Sequence, residues 1–137
     1  MSASPIRRSA SRLLGERGAA AVEFALVVPL LLLLLVGIVE TSKALNAQAT
    51  LSAAAREGAR ALSQGDTVAS ALAAVQTAGG SLGLSGSAIS ISPATCVGVT
   101  TATTVTVTVT YHQSLAAGLF GSGGITITGK AAMRCAA

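Results

Sequence analysis

From Ala19 to Val39 the chain reads AAAVEFALVVPLLLLLLVGIV, 21 residues with one charged side chain among them. A helix crossing a bilayer core needs about 20 predominantly apolar residues. Leu, Val, Ile and Phe make up most of this run, and each favours insertion by about 0.3–0.6 kcal/mol near the centre. The single acid, Glu23, costs about 3 kcal/mol at the centre and less towards an end. Insertion therefore wins, and the run is expected to span a membrane once. Its flanks give the orientation. Arg7, Arg8, Arg12 and Arg17 precede it, while Lys43 is the only basic residue close behind. Cytoplasmic flanks carry the excess of Lys and Arg, so the N-terminus is expected in the cytoplasm and the remainder outside.

The same charges remove a tempting alternative. A formal charge of +4 invites nucleic acid as a partner. Yet residues 1–18 hold four arginines against Glu16, and the rest nearly balances: Lys43, Arg56, Arg60, Lys130 and Arg134 against Glu23, Glu40, Glu57 and Asp66. No basic stripe runs along the chain, and the three aromatics, Phe24, Tyr111 and Phe120, stand too far apart to form a stacking platform. So few rings also leave a thin core in a chain of 137 residues.

A basic start followed by an apolar run belongs either to a removable signal peptide or to an anchor. "NAQA", Asn46 to Ala49, offers the Ala-x-Ala spacing of a signal peptidase site. Glu40 and Lys43 lie between the run and that site, and the run exceeds a usual signal core, so retention is favoured.

The stretch "RGAAAVEFALVVPLLLLLLVGIVE" resembles the N-terminus of type IV pilin-like proteins. More narrowly it resembles the TadE-like pseudopilins, or minor pilins, of tight-adherence (Tad/Flp) pilus systems. "AAAREGAR", Ala53 to Arg60, and Pro29 within "ALVVPLL" extend the similarity over about residues 15–62. The resemblance implies a basic leader, residues 1–18, that a prepilin peptidase cuts between Gly18 and Ala19. Other pilins or pseudopilins, the pilus assembly platform and the membrane would then be its partners. Its place would be the cell membrane, and further an extracellular pilus active in cell adhesion. Cleavage makes a charged amine on Ala19, which is costly in a membrane unless paired. Glu23 lies four residues on, one helical turn away on the same face. The resemblance implies that Glu23 meets the amine of a neighbouring subunit during assembly. The plain alternative is a glutamate solvated at the cytoplasmic interface. Pro29 removes the helical partner of the Ala25 carbonyl. It reads equally as a passive kink or as a weak point that bends when the helix leaves the bilayer.

Beyond the run, residues 40–64 are expected to continue the helix, giving one helix from about Arg17 to Ser63, roughly 70 Å long. Ala44, Ala47, Leu51, Ala55, Gly58 and Leu62 form a stripe of small and apolar residues that lets another backbone approach. Arg56, Glu57 and Arg60 lie off it as a solvated edge, with Glu57 and Arg60 spaced for a weak pair. Residues 65–137 then read as a small α+β domain. Gly65 ends the long helix, and Asp66 or Thr67 caps a short one with Val68, Ala71, Leu72, Val75 and Ala78 on its inner face. Gly79 and Gly80 stop it, and "SLGLSGS" reads as a flexible connector. "AISIS" and "TTVTVTVTY" alternate with a period of two, and "GITITGKAAMRC" supplies a third strand after a loop from Ser114 to Gly124. A small antiparallel sheet whose valine face covers the helix stripe is the expected architecture, pilin-like in outline.

Cys96 and Cys135 are the only cysteines. On the exported side of a membrane two cysteines in a thin-cored domain are expected to pair. A loop of about 40 residues closed in this way contributes roughly 4 kcal/mol in the chain-entropy model. Two cysteines and one distant histidine, His112, do not make a metal site, and no cofactor is implied. The acids are spread out and no nucleophile constellation is present, so an enzyme is not expected. Two readings remain: a pilus component, or a single-pass anchored or secreted envelope domain with a binding role unrelated to pili.

Overall fold

A computed structural model describes residues 10–98, 103–115 and 123–136, with side chains from Gly18 onward in its first helix. Helix α1 runs Ala10–Ser63, α2 Val68–Gly79, and three strands follow: β1 Ile89–Ser92, β2 Thr104–Ser114 and β3 Gly124–Arg134. The order β1-β2-β3 is antiparallel throughout. This is the expected α+β arrangement of a long apolar helix, a short helix and a small sheet. The chain divides between Val39 and Glu40 into two compact units.

In the first unit α1 starts earlier than the expected Arg17, at Ala10. The sequence ASRLLGER carries good helix formers and no proline, so nothing stops the helix propagating backwards through it. Pro29 lies inside the helix. Side chains from Ala19 to Val39 are almost all exposed, with Phe24 at 70% and Leu26 at 73%.

In the second unit the expected stripe is the buried one. Ala47, Leu51, Ala55, Gly58 and Leu62 are buried, joined by Ala54 and Ala59, which widen it. Val105, Val107 and Val109 of β2 cover them, each fully buried. Burying such a side chain contributes about 1.5–3 kcal/mol. The packing is close because glycines make room for it. A Cβ added at Gly129 of β3 would lie 2.7 Å from the Cβ of Leu51 and would also press on its backbone carbonyl. One at Gly58 would strike the Cγ2 of Val75.

The end of α1 is fixed by a pair of backbone bonds. Asp66 N–H donates to the Ala61 carbonyl (3.2 Å) and Gly65 N–H to Leu62 (3.1 Å), with Gly65 at φ +91°. This is the left-handed glycine cap that terminates helices. Thr67 then caps α2, its Oγ1 accepting from Ser70 N–H at 3.2 Å. The C-terminus returns to the same place, where Ala136 N–H donates to the Ser63 carbonyl at 2.9 Å.

Three local expectations need correction. The inner face of α2 runs through Ala71, Val75 and Gly79, and Ala78 is exposed. Bare Gly79 is what admits Leu84, whose side chain fills the space that a Cβ would occupy. For the same reason "SLGLSGS" is not a free connector. It holds one short 3₁₀ turn, Gly80–Leu82, and leads into a second, Gly86–Ala88. Leu84 is buried between them, and its carbonyl accepts from Gln76 Nε2 at 3.2 Å. Glu57 and Arg60 form no pair; with Arg56 they make the exposed edge alone. The centre of the expected loop between β2 and β3, residues 116–122, lies outside the described residues, as do Arg7 and Arg8.

Candidate functional site

Gly18, Ala19 and Glu23 all lie on α1. Gly18 is exposed and no atom lies within 4 Å of where its Cβ would be. Its backbone is not in the left-handed region either, since α1 continues through it. A glycine within a helix costs about 1 kcal/mol against alanine. Nothing among the described residues asks for one at this position. Ala19 and Glu23 are both exposed, one turn apart, and Glu23 has no partner among the described residues. The helix around it presents apolar side chains outward, Val22, Phe24 and Leu26 among them. An exposed apolar surface of this extent marks a membrane or a protein partner rather than water.

Sequence reasoning gave no role to the residues where the second unit begins. Lys43 Nζ donates to Glu40 Oε1 at 3.1 Å. Lys43 is largely exposed, but the Glu40 side chain is only 14% exposed, and its Oε2 is buried without a hydrogen-bond partner. Gln113, on β2, is 7% exposed and its Nε2 is likewise buried and unpaired. Both could have been found by extending the two periodicities. Glu40 sits four residues before Ala44 on the stripe, and Gln113 continues the inner face of Val105, Val107 and Val109. Beside them a groove is lined by Thr41, Ala44, Leu45 and Gln48 of α1 and by Ile125 to Thr128 of β3.

Cys96 and Cys135 are joined as a disulfide, with their Cα atoms 5.4 Å apart. Both are buried. The bond ties the segment after β1 to the end of β3, beside the main-chain bond from Cys135 N–H to the Thr103 carbonyl. His112 is exposed on β2, its Nδ1 3.5 Å from Thr126 Oγ1. Among the described residues no group of three His, Cys, Asp or Glu side chains comes together as metal ligands would.

Among the described residues one helix is long and apolar enough to cross a membrane, and it lies near the N-terminus. Followed by a small folded α+β unit, it defines the class of single-span membrane-anchor candidates. Within that class, residues 18–60 match the family model described as TadE-like protein. The match begins at Gly18, takes in Glu23, Pro29 and the whole apolar run, and ends at Arg60. It covers under half of the chain; α2 and the sheet fall outside it. No curated protein and no solved structure matches the chain significantly.

Proposed function

We propose that this chain is a minor pilin or pseudopilin of a Tad/Flp-type pilus, made as a precursor and cut between Gly18 and Ala19 by a prepilin peptidase. The observation that carries the reading is the TadE-like match over residues 18–60, which starts at the glycine of the proposed cut. Gly18 supports it independently. Neither space nor backbone conformation calls for glycine there, so its bare backbone is free to serve a peptidase site too narrow for a side chain. After the cut, the new amine and Glu23 are two charges on one face of an apolar helix. Paired between neighbouring subunits they offset each other's cost and set the axial register of assembly. The domain limits follow: leader 1–18, membrane segment 19–39, exported helix 40–64 and exported domain 65–137. The N-terminus is cytoplasmic and the assembly platform acts on the inserted chain.

The anchored form of the competing reading needs no cut at all, while its secreted form needs signal peptidase to cut after Ala49. That bond lies within α1, beside Ala47, which is 3% exposed in the core of the second unit. Cutting there would strip Ala47 from the core of that unit. Deletion of the gene in its own host tests the pilus reading. Surface pili should be lost or sharply reduced, and the whole chain supplied in trans should restore them. Unchanged piliation would contradict it.

A further inference from the structure

A buried donor and a buried acceptor, each without a partner, stand at the same end of the second unit. Their levels can be compared through the packing. Gly129 lies directly on Leu51, and Gly129 pairs with Val109 across the sheet. Val107 lies by Gly58, so β2 runs antiparallel to α1. Gln113 is four residues beyond Val109, about 13 Å along a strand. On α1 the same distance is about nine residues back from Leu51, which reaches the level of residue 42. Glu40 and Ala44 bracket that level, and both lie on the stripe that faces β2, in line with Ala47 and Leu51. Gln113 points towards the stripe, as its burial requires.

We propose that Gln113 Nε2 donates a hydrogen bond to Glu40 Oε2, forming a polar latch that closes this end of the helix–sheet layer. Lys43 holds the other carboxylate oxygen at 3.1 Å and so leaves Oε2 turned inward. One bond between them would satisfy two buried groups. Buried polar atoms are seldom left unpaired, because each unmade bond costs the full desolvation of the group. The latch is a positioning device. It fixes β2 on the first turn of the second unit and thereby holds Thr41 to Gln48, the helical wall of the groove beside β3. It does not depend on the pilus reading.

The sign of one substitution distinguishes a latch from two independent orphans. If the groups are paired, Gln113→Leu strands the carboxylate, and amide exchange over residues 41–48 should accelerate at least about tenfold in the full chain in detergent micelles. Adding Glu40→Leu to that variant should bring exchange back to within a few-fold of wild type, because an apolar pair leaves no unmet group. The side-chain amide protons of Gln113 should also exchange slowly in the wild type and shift on Glu40→Gln. If the groups are independent, Gln113→Leu merely deletes an orphan, and exchange should slow or stay the same. That result, or a double variant no better than Gln113→Leu alone, would overturn the latch.

Discussion

At the residue scale, glycines and one glutamate carry the account. Gly129→Ala should be costly, because its Cβ would meet the main chain of Leu51, which cannot rotate away. The expected loss is about 1–3 kcal/mol, read as a fall in the unfolding midpoint of the whole chain in micelles. Gly58→Ala meets only a methyl of Val75 in its closest contact, and it gains helix propensity of about 1 kcal/mol. Its net effect should be smaller, and an equal or larger loss would contradict this ranking of the two contacts. Both roles were partly legible. A stripe of small residues announces close approach by something, but which backbone approaches depends on strand register. Gly129 carried a usable signal, a lone glycine inside an alternating strand. Glu23 belongs to this scale as well. Glu23→Ala removes an insertion cost, so the variant should insert and be cleaved as the wild type is. It should then fail to crosslink to its pilin partners and fail to support pili, with Glu23→Asp intermediate. Normal piliation by Glu23→Ala, in cells lacking the wild-type copy, would reduce the glutamate to an interfacial charge.

At the scale of elements, periodicity encodes most of the architecture. Alternation in TVTVTVTY marked β2, and its three valines are the most deeply buried residues of the sheet. The stripe on α1, the glycine that ends it and the threonine that caps α2 were equally readable, since each rests on a local rule. The failures were tertiary. Leu84 orders the segment after α2 only because Gly79 leaves a space for it, and no local pattern announces that match. The start of α1 at Ala10 rests on ordinary helix propensity. The disulfide ties two of these elements together. Cys96→Ser or Cys135→Ser should lower the stability of the second unit by up to roughly 4 kcal/mol while leaving processing at Gly18 intact. Thermal unfolding of the full chain and the size of the processed product would read the two effects separately. Two reactive thiols per chain in unreduced, denatured protein would show the bond to be absent.

At the scale of the whole molecule, the chain joins a helical segment with exposed apolar side chains to a small unit closed by a valine face, a disulfide and a returning C-terminus. A pilin precursor needs both parts: a segment that waits in the membrane for neighbours, and a unit that is complete without them. The central claim is the conversion of precursor to subunit, and mass spectrometry of the mature N-terminus tests it most directly. Chain extracted from membranes of cells with an active prepilin peptidase should begin at Ala19, with Gly18 gone. A chain that begins near Thr50, or one that still carries residues 1–18 in those cells, would contradict the account.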